Sequence, residues 1–427
     1  MIRPEAVPQD PGALDMTRSY LNTLICGLLL GYVAVLPFKP LLVLERNGFL
    51  VLLGLLAVWC GLNRSLFFVR TPYDTMLLAF VLWVGFTLPF SVAPLYSLKE
   101  YGKLLQYVVV FYAVAYFLRE IRYRQALFTV VGVVTIVLVG YGLTQFNLAD
   151  GQAVRSFFPA EVWFTTFLVM VFPFALGLAY GSGPQEIRWI AAITSIMVVC
   201  CVLATQSRAG LVALVVELWV MAWLIRSRSA KMTAGVVTIC LITLVAIVLL
   251  SPAAPVAEQV ADVASALPVK KGFSSVFHRF DIWAFTLSNI WDHWLVGIGY
   301  GSHSYSFLYG QDNEVVMPGH TAITHSGTHN IFLYLALHVG VPGMMLFAWL
   351  YYSLIVRTVR EYWVVSPWMQ KSILGGMVGS LIGTLCRLQF DQMLVGSLAT
   401  LFWVLVAMAV IYYPSSDGSE NKFAGSA

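Results

Sequence analysis

The sequence predicts an all-α polytopic membrane protein: about 12 transmembrane helices, with one large extramembrane loop carrying amphipathic helices between the ninth and tenth spans. Three observations lead there. The chain is 59% hydrophobic and only 11% charged, which is more apolar than a soluble core of 427 residues requires. Apolar runs of about 17–25 residues recur along it, each long enough to cross a bilayer as a helix. Lys and Arg gather in alternate connections, in RSLFFVR, REIRYR, RSRSAK and RTVRE, which is the pattern of inner loops.

Taken in order, the spans are expected near 21–37, 48–62, 74–90, 104–118, 126–146, 162–180, 188–205, 210–225, 232–250, 330–356, 371–387 and 393–412. Both termini then face inward. Residues 1–20 form an inner N-terminal segment, 21–250 carry spans 1–9, 251–328 form an outer helical loop, 329–413 carry spans 10–12, and 414–427 form an inner disordered tail. Residues 1–18 mix Arg3 and Arg18 with Glu5, Asp10 and Asp15, without a basic region running straight into a short apolar stretch, and no small-x-small cleavage site follows, so the first stretch reads as a retained span and not as a signal peptide. All six cysteines lie in or beside apolar spans, which leaves no disulfide framework and no thiolate zinc site.

This topology leaves ten basic residues on the outer side, among them Lys39, Lys103, Arg155, Arg208, Arg279 and Arg387. Two readings stand. Each cation could snorkel or pair with a nearby acid, as Arg387 could with Asp391 four residues on. Together they could seat an anion at the membrane surface, where the arginine fork grips two phosphate oxygens.

The outer loop from Ser251 to Thr328 is much longer than the other connections, and every histidine lies between His278 and His338. SSVFHRFDIWAFTLSNIW places Phe277, Phe280, Trp283, Ala284, Leu287 and Trp291 on one helical face, with Arg279 and Asp281 on the other. VAEQVADVASAL is a second, weaker amphipathic helix. Such helices serve either as a lid over the outer face or as plain interfacial anchors. GIGYGS at 297–302 has no strand before it, so a tight turn is favoured over a dinucleotide fingerprint. His325 and His329 are four apart, but Gly327 lies between them and no glutamate stands where a zincin needs one, so no metal is expected. Glu217, inside the eighth span, reads as a proton site or as a packing partner for Trp or Ser donors, with packing favoured.

Four stretches carry a family resemblance. His329-Asn330, nine residues, Gly340, two residues and Gly343 spell H-N-x9-G-x-x-G. TQSRAGLVAL surrounds Arg208. RSFFPAEVWFTTFLVMVFPF begins at Arg155, with Ala160 and Glu161 where an Asn is usual after the proline. FHRFDIWAFTLSNIWDHWLVGIGYGS joins Arg279 to the glycine string. Over residues 150–345 this resembles the bacterial O-antigen ligases, in the superfamily that also holds O-antigen polymerases and protein O-oligosaccharyltransferases. The first five spans match only in hydropathy.

The resemblance implies a membrane glycosyltransferase of the C type in the bacterial inner membrane, with its active site on the periplasmic face. Its donor would be a glycan on undecaprenyl diphosphate, and its acceptor a sugar of the lipid A core. Transfer would be inverting and metal-independent, with no cofactor. Membrane lipids are the remaining partners, and no nucleic acid is expected.

His329 suits the general base: an ordinary imidazole titrates at about 6.5, and neighbouring cations favour its neutral form. Arg208 and Arg279, then Arg155, suit the diphosphate, which needs charge compensation and not protonation. Asn330, Lys39, Lys103, Arg387 and His325 are candidates for lipid or acceptor contacts. Gly340 and Gly343 would allow close helix contact, Pro342 would kink the span, and His338 would pack. Polymerase and protein-glycosylating activities are the near alternatives, and a lipid-linked oligosaccharide flippase or other transporter is the remote one.

Overall fold

In a computed structural model the described residues are 13–147, 152–250, 274–309, 327–391 and 394–413. Each of the 12 apolar segments forms a helix: α1 (Ala13–Val35), α2 (Leu42–Asn63), α3 (Asp74–Thr87), α4 (Pro94–Phe117), α5 (Ile121–Thr144), α6 (Glu161–Tyr180), α7 (Gln185–Ala204), α8 (Arg208–Ile225), α9 (Arg228–Leu250), α12 (Ile331–Val364), α13 (Trp368–Leu388) and α14 (Gly396–Ile411). Between α9 and α12 lie α10 (Ser274–Ile290) and the short α11 (His303–Tyr309). The described residues contain no strand.

Seven of these helices are long and apolar enough to cross a membrane on length and composition alone: α1, α2, α5, α6, α7, α8 and α12. α3, with its 3-10 extension to Phe90, and α14 are shorter apolar helices. Several helices extend well beyond the expected spans, α4 and α12 among them. α4 starts ten residues early, at Pro94, because proline suits the first helical turn and the polar run Ser97–Lys103 continues the helix past the apolar stretch. α12 runs on to Val364 for the same reason: its polar last turns stay helical beyond the apolar core.

Successive helices run back and forth, so their ends form two layers. At one end, which the charge pattern assigns to the outer face, Ser397 Oγ donates to Glu45 Oε2 at 2.8 Å and Val154 N donates to the Ala204 carbonyl at 3.0 Å. At the other, Tyr73 and Tyr413 share a hydroxyl bond of 2.7 Å, and Tyr362 donates to the Leu224 carbonyl at 3.0 Å.

α13 is the central post, packed on α6, α8 and α12. Its glycines permit this approach. A Cβ on Gly379 would stand 2.5 Å from Pro173, and one on Gly376 would stand 2.6 Å from Phe174. Gly383 faces Glu217 so closely that any side chain there would overlap the carboxyl. Glu217 is fully buried, and neither of its oxygens has a hydrogen-bond partner among the described residues. The expectation of Trp or Ser donors is therefore corrected: the carboxyl packs against the glycine face of α13 and has no donor among the described residues.

α10 turns its aromatic face away from the bundle: Phe280, Leu287 and Trp291 are exposed, whereas Ile282, Thr286 and Ile290 are buried. Arg279 is half-buried. The second amphipathic stretch, VAEQVADVASAL, and the tail 414–427 lie outside the described residues.

Candidate active site

The site begins with a break in α12. Pro342 lacks the N–H that would bond the His338 carbonyl in a continuous helix. The non-helical residue, however, is Gly340, at φ 76° and ψ 167°, so the bend lies two residues before the expected proline kink. Backbone in that region is open to glycine and almost nothing else.

The break releases three carbonyls, and each finds a new donor. Leu337 O takes Ile298 N at 2.9 Å, His338 O takes Gly299 N at 3.0 Å, and Val339 O takes Trp83 Nε1 at 2.8 Å. Val341 N in turn bonds Trp294 O at 2.7 Å. The glycine string GIGYG is thus a strap docked into the broken helix, more than the simple turn expected. Gly297, Gly299 and Gly301 all have positive φ, and a Cβ on Gly301 would stand 2.6 Å from Tyr96. Gly340 likewise approaches this strap, with Leu295's carbonyl against it, and not a neighbouring helix as expected.

Above the break, Asn330 caps α12. Its Oδ1 accepts from Phe332 N at 2.9 Å and Leu333 N at 3.1 Å. Its Nδ2 reaches Gln389 O at 3.3 Å and Gln389 Oε1 at 3.2 Å. Both polar atoms are engaged by the protein, so Asn330 clamps the start of α12 to the end of α13. His329, immediately before the cap, has φ 46°, a left-handed conformation that His tolerates better than most residues.

That backbone sets the imidazole beside Asp391: Nδ1 lies 4.0 Å from Oδ1, with the carboxylate nearly buried and the histidine partly exposed. The other carboxylate oxygen of Asp391 receives Arg387 Nη2 at 3.4 Å. Arg387 is only 2% exposed, and it interacts electrostatically with Arg279 as well as with Asp391. Burial holds Arg279 below the usual arginine value; Asp391 opposes that shift and Arg208 adds to it. Three arginines, one carboxylate and one imidazole are therefore electrostatic neighbours. They come from α8, α10, α13 and the segments flanking α12 and α13.

Arg208 opens α8. Ser207 caps that helix by accepting from Gly210 N at 3.2 Å, and a Cβ on Gly210 would strike Thr165 of α6. The Ser-Arg-small pattern thus fixes where Arg208 emerges.

The remaining sequence candidates are placed differently. Arg155 is exposed and donates to the Pro159 carbonyl at 3.5 Å, within its own loop. Lys39 is exposed on a 3-10 turn. Lys103, expected to gather anions, lies 2.6 Å from Glu100, which neutralises it. His325 lies outside the described residues. His338 packs as expected: it is buried, stacked at 4.0 Å on Tyr334, with Nδ1 2.7 Å from the Tyr334 carbonyl. Sequence reasoning assigned Asp391 only to Arg387; its position facing His329 was not visible until α12 and α13 were brought together.

These features define a polytopic helical membrane protein with a cationic, histidine-bearing site at one end of its bundle. The protein-family model described as O-antigen ligase matches residues 193–348, a stretch that contains Arg208, Arg279, His329 and the break at Gly340. Over that stretch the chain is similar to the O-antigen ligase family. No curated protein matches the chain.

Proposed function

We propose that the protein is an O-antigen ligase of 12 spans in the bacterial inner membrane. It transfers a glycan from undecaprenyl diphosphate to a sugar of the lipid A core on the periplasmic face. The observation that carries this reading is His329 facing Asp391 beside Arg387, Arg279 and Arg208.

The chemistry follows from these groups. A sugar hydroxyl is a weak nucleophile and needs a base. With Nδ1 turned towards Asp391, His329 has Nε2 to take the acceptor proton, and Asp391 stabilises the imidazolium that results. The acceptor oxygen attacks the anomeric carbon from the face opposite the diphosphate, which inverts that centre. The anomeric C–O bond breaks, and its electrons leave on the diphosphate. Arg208 and Arg279 offset that charge through charge-assisted bonds. Arg387, buried and paired, supports Asp391 and adds to the local positive field.

The test is reconstitution with purified lipid-linked glycan and lipid A core. His329→Ala is expected to lower turnover by on the order of 10²–10⁴, and Arg208→Ala by about 10²–10³. Activity should persist in EDTA. Normal coupling by folded His329→Ala and Arg208→Ala proteins would sink the mechanism. Elongation of the lipid-linked glycan itself would make the protein a polymerase, transfer to a protein would make it an oligosaccharyltransferase, and movement across the bilayer without bond formation would make it a transporter.

A further inference from the structure

At the end of the bundle opposite His329, α6, α8, α12 and α13 surround a cavity of about 310 Å³. One cation lines it. Lys371 is partly exposed, with its ammonium 5.3 Å from the centre of the Tyr362 ring. No carboxylate among the described residues forms an ion pair with it. The acids of adjacent segments are placed otherwise: Glu361 is held by Arg357 at 2.7 Å, and Glu186, exposed at the start of α7, is not part of the wall.

The wall also holds hydroxyls of two kinds. Tyr180, Tyr362 and Ser372 already donate within the protein, to Thr233, the Leu224 carbonyl and the Gly177 carbonyl. Ser182 and Ser366 are exposed, and neither hydroxyl is bonded to a described residue. α13 begins at the same wall with Pro367 as its N-cap, so no side chain caps its first turn, and the helix adds its positive end to the charge of Lys371.

Two features decide what kind of anion fits. The first is depth. Trp189, Trp223 and Trp363 are exposed around this end, and Arg226 lies 4.3 Å over the Trp363 ring. Such rings mark the level of lipid headgroups. The second is a neighbouring groove of about 510 Å³ between α5, α6 and α7. Trp368 lines both spaces, and a Cβ on Gly183 would stand 2.5 Å from its ring. Apart from Gln125, exposed near the start of α5, the groove offers nothing polar. Its threonines, Thr129, Thr135 and Thr194, each donate back to their own helix. Hydrocarbon suits such a surface.

We propose that the cavity and the groove together bind one anionic phospholipid, in the bilayer surface opposite the His329 site. Its phosphate lies beside Lys371 at the open turn of α13, and one acyl chain passes Trp368 into the groove. The lipid thus ties α13 to α6 and α5 at the end remote from the chemistry, and its binding is independent of what His329 does.

Native mass spectrometry of the full chain released from detergent tests this with three probes: long-chain phosphatidylglycerol, phosphatidylcholine with the same chains, and inorganic phosphate. The parent protein should retain phosphatidylglycerol about fivefold more than phosphatidylcholine, and inorganic phosphate at equal concentration should not displace it. Lys371→Gln should lower that retention about fivefold, and Lys371→Arg should preserve it. Gly132→Phe fills the groove from an open position on α5. It should lower retention of the long-chain lipid about tenfold and leave dihexanoyl phosphatidylglycerol unchanged. Equal retention of the two lipids by the parent protein would overturn the proposal, and this comparison needs no variant to fold. Displacement by inorganic phosphate would equally overturn it, because the anion alone would then be the ligand. Unchanged retention in folded Lys371→Gln or Gly132→Phe protein would remove the headgroup contact or the chain path, and with either the site.

Discussion

The Nδ1 of His329 stands 4.0 Å from Oδ1 of Asp391, while Oδ2 of the same carboxylate holds the buried Arg387. One carboxylate thus links the imidazole to the arginine cluster. If it orients the base, Asp391→Asn should lower kcat by between tenfold and the full 10²–10⁴ or so attributable to a general base. Donor KM should hold or fall, because a negative charge is removed beside a diphosphate site. Steady-state kinetics with each substrate varied in turn separates the two parameters, and an unchanged kcat would leave Asp391 with a structural task only.

Arg387 is 2% exposed, so Asp391 depends on it in a place where water cannot substitute. Breaking a buried ion pair by removing one partner costs about 3–5 kcal/mol. Arg387→Ala should fall at the lower end of that range, since Arg279 also interacts with Asp391. The double variant with Asp391→Ala should lose less than the sum of the single changes, because neither charge is then left alone. Thermal unfolding in detergent measures all three proteins.

Much of the scaffold could be read from hydropathy, because a bilayer admits helices and little else. Each apolar segment is helical, and His329, Arg208 and Arg279 were each nameable from local patterns. What could not be read was produced by packing between segments distant in the chain. Asp391 meets His329 where Asn330 bonds Gln389 and ties α12 to the end of α13. Gly340 leaves the helical conformation where a strap from 294–299 bonds the carbonyls of the break. For Lys103, pairing with an acid and gathering an anion both stood open until its helix placed Glu100 against it. Charge counting in loops does not choose between the two.

Asn330 combines two tasks that substitutions can separate. Asn330→Ala removes the cap of α12 and should cost about 0.5–2 kcal/mol. Asn330→Ser keeps a capping oxygen but cannot reach Gln389, so the segment carrying Asp391 loses its tie to α12. The expected outcome is near-normal stability with reduced kcat for Ser, and loss of both for Ala. Equal activity in the Ser variant and the parent would show that the clamp does not position Asp391.

The bend in α12 provides the sharpest contrast between neighbouring residues. Pro342 is the conventional cause of a kink, yet restoring its N–H should not straighten the helix. The carbonyl that N–H would seek, on His338, is already bonded to Gly299 N at 3.0 Å, and those of Leu337 and Val339 are likewise occupied. Pro342→Ala is therefore expected to change stability by within about 1 kcal/mol. Gly340→Ala is a different matter. At φ 76° and ψ 167° the backbone penalty alone is about 1–3 kcal/mol, and the new methyl group would meet the Leu295 carbonyl. The strap would have to withdraw, exposing the Leu337 and His338 carbonyls at membrane depth and loosening the helix start that carries His329. Gly340→Ala should lower both the unfolding temperature and the rate of transfer, whereas Pro342→Ala should leave both close to the parent. The reverse ranking would return the bend to the proline and make the strap its consequence.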